Sequence, residues 1–126
     1  MTRRTILLVD DSVVVQLTVS ALLEDHGHDV VVAGSLSEAR ALSDRAFDAA
    51  LVDLNLPDGA GTQFLAELRA QRPETVRVLL TGDADAATAS GAAGAADLVL
   101  EKGGDPSAIG ALLDRTIDEG RVRGTA

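Results

Sequence analysis

Five short β-like runs recur along the chain, at Thr5–Val9, His28–Ala33, Asp48–Asp53, Val76–Thr81 and Asp97–Leu100. Three of them contain nearly continuous apolar stretches: Ile6-Leu7-Leu8-Val9, Ala49-Ala50-Leu51-Val52 and Val76-Arg77-Val78-Leu79-Leu80. Strands covered on both faces have this character. Alternation is weak except in the second run, so length and flanking punctuation carry the strand assignments. Helical patterns lie between the runs. Val15, Val19, Leu22 and Leu23 form one stripe at helical spacing, and Gly27 sits where that helix should stop. Ser35-Leu36-Ser37-Glu38 reads as a capping box that opens a second helix through about Arg45. Pro57-Asp58-Gly59 marks a turn; a third helix then runs from Thr62 to about Gln71, with Phe64, Leu65 and Leu68 apolar and Pro73 closing it. Ala84–Ala93 is helical by alanine content, but Gly91 and Gly94 weaken it, which predicts a short or mobile element. Asp105-Pro106 suits an N-cap and first helical position for a last helix to about Glu119, and residues 120–126 read as a flexible tail.

Alternating β and α units imply an α/β architecture: a doubly wound, five-stranded parallel sheet with right-handed crossovers and helices on both faces. One domain over residues 5–119 accounts for all five units. The expected strand order is 2-1-3-4-5, which places the binding crevice at the carboxyl ends of the strands, where the order reverses between strands 1 and 3.

Composition narrows the chemistry. The 126 residues are 46% apolar and carry a formal charge of −9, from 20 acidic and 11 basic side chains. A chain of this length buries roughly two thirds of its unfolded surface and needs no disulfide or structural metal to fold. It has no cysteine, which excludes thiol catalysis and Cys-ligated zinc. The acidic balance speaks against a nucleic-acid partner, and Phe47 and Phe64 are the only aromatic rings among Phe, Tyr and Trp, which removes the usual base-stacking platforms. No apolar run approaches the roughly 18 residues of a membrane span, and Ile6–Val9 is too short for a signal-peptide core, so the expected location is cytoplasmic.

Candidate chemistry sits at the strand ends. Strand 1 ends in Asp10-Asp11, strand 3 in Asp53 and strand 4 in Thr81, and Lys102 follows strand 5. With strands 1 and 3 adjacent, at about 5 Å, three carboxylates converge on one crevice. Their repulsion raises at least one pKa unless a cation relieves it, and an all-oxygen set open to water suits Mg²⁺ better than Zn²⁺. Asp11 is the better direct ligand, Asp10 acts partly through water, and Asp53 and the backbone carbonyl of Asn55 complete the protein's share. A metal, the Lys102 ammonium and the Thr81 hydroxyl beside a reactive carboxylate suit phosphoryl chemistry, with Asp53 as nucleophile.

The run Leu8-Val9-Asp10-Asp11-Ser12, the segment Asp53-Leu54-Asn55-Leu56-Pro57-Asp58-Gly59, Leu80-Thr81-Gly82 and Glu101-Lys102 together resemble the receiver domain of bacterial two-component response regulators. Each motif alone is weak, but five matching positions in order, from about Thr5 to Glu119, are specific. The resemblance implies a flavodoxin-like fold and a single-domain, chemotaxis-regulator-like signalling protein, not an enzyme with a separate substrate. It implies that Asp53 takes a phosphoryl group from a histidine kinase or a histidine phosphotransfer protein. Asp10 and Asp11 bind Mg²⁺, and Thr81 and Lys102 couple the phosphoryl group to a surface that meets a downstream protein, as a monomer or a phosphorylation-dependent dimer. Two positions depart from the family pattern. The lysine is followed by Gly103 and Gly104 in place of the usual proline, and Val99 stands where the family usually has Tyr or Phe.

Other features have plainer readings. His26 and His28 are expected to be solvated loop residues, and Glu24, Asp25, Asp44, Asp114 and Asp118 a solubilising surface; Asp83 and Asp85 read first as surface solvation, with tuning of water or partner access near the site as the alternative. Asn55 divides between turn chemistry and an influence on phosphoryl lifetime. Val13, Val14 and Leu17 lie largely off the core stripe of the first helix and suggest docking of the phosphodonor helix bundle. Two rivals stand beside the main reading. One is a module with this fold that works without phosphorylation, motivated by Val99 and Gly103. The other is an aspartate-nucleophile phosphatase of the haloacid dehalogenase type, which needs a second acid where this chain has Asn55.

Overall fold

The computed structural model describes residues 3–102, 113 and 115–118. Its main sheet has five parallel strands: β1 (Thr5–Val9), β2 (Asp29–Ala33), β3 (Ala49–Asp53), β6 (Val76–Thr81) and β7 (Leu98–Glu101), in the order β2-β1-β3-β6-β7. Setting aside the two-residue strands β4 (Asn55–Leu56) and β5 (Gly59–Ala60), which pair only with each other, this is the expected 2-1-3-4-5 topology. The helices are α1 (Val13–Asp25), α2 (Leu36–Ala41), α3 (Gly61–Gln71) and α4 (Ala84–Ala89); residues 115–118 are also helical.

The continuous apolar runs have their explanation in two cores, one on each face of the sheet. Leu7, Val9, Ala50, Val52 and Leu79 pack with Leu36, Phe64, Leu65 and Leu68 of α2 and α3. Ile6, Leu8, Leu51, Val78 and Leu80 pack on the other face with Val19 and Leu23 of α1 and with Leu113 and Ile117. Successive strand residues point to opposite faces, so only an unbroken apolar strand can supply both cores.

Most helix ends obey local chemistry. Ser12 caps α1 by accepting from the Val15 N–H at 3.4 Å. At its other end Gly27 takes φ 91°, its N–H donates to the Glu24 carbonyl, and the His28 N–H donates to that of Leu23. This is a Schellman closure, and the left-handed residue it needs is most easily glycine. The turn carries His28 back over the helix end, where it is buried and its Nδ1 accepts from the Arg4 N–H at 3.3 Å. The expectation of a solvated His28 is therefore wrong. Asp118 is likewise more than surface charge, since its carboxylate pairs at 2.5 Å with the buried Arg4 guanidinium.

Helix α2 ends at Ala41, not near Arg45. The N–H groups of Leu42, Ser43 and Arg45 each bond three residues back, and the Ser43 hydroxyl donates to the Arg40 carbonyl at 2.7 Å, tightening the chain into turns. Asp83 caps α4 by accepting from the Ala86 N–H at 3.0 Å, so its carboxylate has a structural task. Gly91, at φ 84°, follows that short helix, and a 3₁₀ turn over Ala92–Ala95 comes next. The Asp105-Pro106 cap, Gly103, Asp114 and the tail 120–126 lie outside the described residues.

Candidate functional site

Parallel pairing sends every main strand to the same edge of the sheet, and the acids follow from the register. Val9 pairs with Val52, so Asp10 and Asp53 are the next residues on neighbouring strands. The Asp10 N–H continues the ladder to the Ala33 carbonyl at 3.0 Å, and the Lys102 N–H continues it to Thr81 at 2.9 Å. That last bond brings Lys102 to the level of the acids. Its Nζ lies 2.8 Å from Asp10 Oδ2 and 3.1 Å from Asp53 Oδ1.

Asp10, Asp11 and Asp53 each offer a carboxylate oxygen, and these atoms lie within 4.8 Å of one another. Asp10 and Asp53 are buried and Asp11 is exposed, so the cluster has two fixed walls and one open side. The Ser12 N–H donates to Asp10 Oδ1 at 2.8 Å, and the Gln16 side chain donates to the Asp10 carbonyl oxygen at 2.6 Å. The Asn55 N–H donates a longer bond to Asp53 Oδ1 at 3.4 Å. Thr81 is buried at the end of β6, but its hydroxyl is turned to the next loop: it donates to the Asp83 carbonyl at 3.3 Å and accepts from the Asp83 N–H at 3.2 Å. The structure thus joins Lys102 directly to Asp10 and Asp53, brings Asp11 within 4.8 Å of both acids, and sets Thr81 on the same edge, engaged elsewhere.

Burial raises the pKa of Asp53. The Lys102 hydrogen bond acts against that rise, and the Asp10 charge adds to it. For Lys102, burial disfavours the charge, but the bonds to Asp10 and Asp53 outweigh it and leave the pKa raised. Three carboxylates and one ammonium leave a formal charge of −2, enough to hold a divalent cation on oxygen donors alone. A raised carboxyl pKa means that ionised Asp53 opposes folding at neutral pH and that this cost fades as pH falls through the folded-state pKa. Without metal, Asp53→Asn is expected to stabilise the fold at pH 7, because the amide removes a charge that burial disfavours. The gain should shrink on acidification. Thermal melts in chelator across pH check this; an unchanged or lower midpoint at pH 7 counts against it.

Gly61 is a site residue that the sequence pattern did not single out. A Cβ built on it would lie 1.9 Å from the Asp53 carbonyl oxygen and 2.8 Å from Val52 Cγ1. Its N–H donates to the Leu54 carbonyl at 2.8 Å, closing the loop behind Asp53. The available signal was a helix whose preceding residue, Ala60, offers no side-chain cap, with glycine as its first residue.

Val13, Val14 and Leu17 on α1 are 64%, 73% and 68% exposed, beginning two residues after Asp11. Among the described residues no helix is long and apolar enough to cross a membrane.

The chain is similar to the alginate biosynthesis transcriptional regulatory protein AlgB of Pseudomonas aeruginosa, at 38% identity over 76% of this chain and 22% of that protein. It is also similar to the photosynthetic apparatus regulatory protein RegA of Rhodobacter capsulatus, at 34% identity over 87% of this chain and 61% of that one. It therefore spans less than two thirds of the length of these curated relatives. Among solved structures it resembles a CheY-like receiver domain protein from Methanospirillum hungatei, with TM-score 0.87 and 27% identity over 97% of this chain and 99% of the other. It also resembles the BeF3-activated receiver domain of DrrB, with TM-score 0.79 and 27% identity over 93% and 99%. Residues 6–114 match the response regulator receiver domain as a family. With the sheet order and the span of that match in agreement, the chain belongs to the response regulator receiver domain family.

Proposed function

We propose that this receiver domain is a phosphoacceptor in two-component signalling, with Asp53 accepting a phosphoryl group from a histidine kinase or a histidine phosphotransfer protein. The observation that carries this is the convergence of three carboxylates within 4.8 Å, with Lys102 Nζ 3.1 Å from Asp53. In the transfer, a carboxylate oxygen of Asp53 attacks phosphorus in line as the P–N bond of the phosphohistidine breaks. The bond's electron pair stays on the imidazole nitrogen, and the product is an acyl phosphate.

The donor set fits Mg²⁺: the oxygens of Asp10, Asp11 and Asp53 and the Asn55 backbone carbonyl would hold it, with one side open to water and phosphoryl oxygens. When bound, the cation neutralises charge on the phosphoryl oxygens. The chain's own residues do the rest. Lys102, now shared between Asp10 and Asp53, supplies a fixed positive charge beside the acceptor oxygen. Thr81 exchanges its 3.3 Å bond to Asp83 for a phosphoryl oxygen, and that movement at the β6 end biases the surface toward the form that binds a downstream protein. Val13, Val14 and Leu17 form the apolar face on which the phosphodonor docks, and the domain proper is assigned to residues 5–119.

A phosphorylation-independent module is favoured by one observation: Val99, part-buried against the core in the place of the family's aromatic, has no ring to reorient. Binding of beryllofluoride, a phosphoryl mimic, separates the two. Wild-type protein is expected to bind it only with Mg²⁺ and to lose it in chelator, and Mg²⁺ at tenfold its dissociation constant should add about 1.4 kcal/mol to thermal stability. Failure to bind the mimic at saturating Mg²⁺ would decide for the module.

A further inference from the structure

The loop that follows Asp53 is anchored at both ends. At the near end the Leu54 N–H donates to the Leu80 carbonyl at 3.0 Å, and the Gly61 N–H donates to Leu54. At the far end Asp58 reaches across to α2, where its Oδ1 accepts from the Leu36 N–H at 2.8 Å and its Oδ2 from the Ser37 N–H at 3.0 Å. These amides belong to the first turn of α2 and have no partner within the helix. Ser35 caps that helix at a different amide, accepting from the Glu38 N–H at 3.1 Å, so Asp58 supplies from another element the acceptors that the local cap does not. The neighbouring backbone is in close contact as well: a Cβ on Gly59 would lie 2.7 Å from Leu36 Cδ1.

The segment that Asp58 grips is itself joined to the acid pair. The Ala33 carbonyl accepts from the Asp10 N–H at 3.0 Å, and the Gly34 N–H donates to Glu38 of α2 at 3.0 Å. A path of hydrogen bonds and short backbone steps therefore runs from the loop behind Asp53, through Asp58 and the α2 N-terminus, to Asp10. The two backbone N–H bonds hold the Asp58 carboxyl below its ordinary range, so it stays ionised wherever the site works.

We propose that Asp58 is a positioning residue for phosphoryl acceptance, clamping the tip of the Asp53 loop to the α2 N-terminus and so fixing the Asn55 backbone relative to Asp10 and Asp11. The role presupposes Asp53 as acceptor. It sets how tightly the site takes its divalent cation, not the reactivity of Asp53 once the cation is in place.

The test is a Mg²⁺ titration of labelling by acetyl phosphate on the full chain, comparing wild type, Asp58→Ala, Asp58→Asn and Ser35→Ala. Asp58→Ala is expected to raise the Mg²⁺ concentration for half-maximal labelling about tenfold while the rate at saturation stays within about twofold. Asp58→Asn keeps one acceptor oxygen and should fall between. Ser35→Ala removes α2's own cap but leaves the clamp, and should keep the wild-type midpoint. An unmoved midpoint in Asp58→Ala overturns the proposal, as does an equal shift in Ser35→Ala, which would make Asp58 a helix cap and nothing more. If wild type takes no label, it is the acceptor assignment that fails. Amide hydrogen exchange then decides the clamp: faster exchange of residues 54–60 in Asp58→Ala than in Ser35→Ala supports it, and equal protection overturns it.

Discussion

Asp53→Asn is expected to take up no label from acetyl phosphate or from a phosphorylated histidine donor, a loss of about 10³-fold or more, the scale on which enzymes lose activity when a nucleophile is removed. The amide has the same shape and fits the same place beside Lys102 and the Asn55 N–H, so geometry is retained. What it lacks is an anionic oxygen: the neutral amide oxygen is a weak nucleophile, and its attack on phosphorus would leave an unstable O-phosphoryl imidate. The same substitution is expected to stabilise the fold, so unfolding cannot account for the lost labelling. Intact-mass and peptide-mass measurements check the result. Undiminished labelling would remove Asp53 as the acceptor, and label mapped to Asp11, the exposed acid of the cluster, would move the assignment there.

The largest expected effect on stability lies at Gly61. A methyl group 1.9 Å from the Asp53 carbonyl oxygen cannot be absorbed by a side-chain rotation, because the atom it meets is backbone. Either the start of α3 or the end of β3 must move, and overpacking of this kind costs about 3 kcal/mol, near the top of the usual range. Gly61→Ala should therefore melt well below wild type, and any folded fraction should label slowly, because the displaced strand end carries Asp53, the proposed acceptor. Gly82 is the control: no atom lies within 4 Å of a Cβ there, and Gly82→Ala should stay within about 0.5 kcal/mol of wild type. Urea melts of both variants decide the matter, and Gly61→Ala matching Gly82→Ala would sink the prediction.

The contrast between these glycines marks where sequence reading stops. The five main strands were legible because a strand buried on both faces must be apolar at successive residues, as at Ile6–Val9 and Ala49–Val52. The acids were legible because an α/β sheet gathers its strand ends at one edge, so Asp10, Asp11, Asp53 and Lys102 could be placed together without coordinates. Gly61 and Asp58 were not, because their roles depend on contacts with other elements. Asp58 sits in a Pro-Asp-Gly sequence whose turn chemistry already explains an aspartate, and nothing local asks for bonds to Leu36 and Ser37 more than twenty residues earlier. His28 was misread for the same reason. A histidine after a glycine looks like loop, and only the path of the chain out of α1 buries it beneath Arg4. The end of α2 falls short of Arg45 because the Ser43 hydroxyl takes the Arg40 carbonyl, which a longer helix would need for its own backbone bond.

The ion pair between Arg4 and Asp118 has a practical consequence. It ties the approach to the first strand to the helical segment at 115–118, at the pole where the parallel strands begin, while Asp53 lies at the pole where they end. Five residues of strand put roughly 16 Å between those poles. A surface tether attached near residue 118 therefore orients the molecule with its acidic mouth outward, so immobilised protein presents Asp53 to a partner in solution.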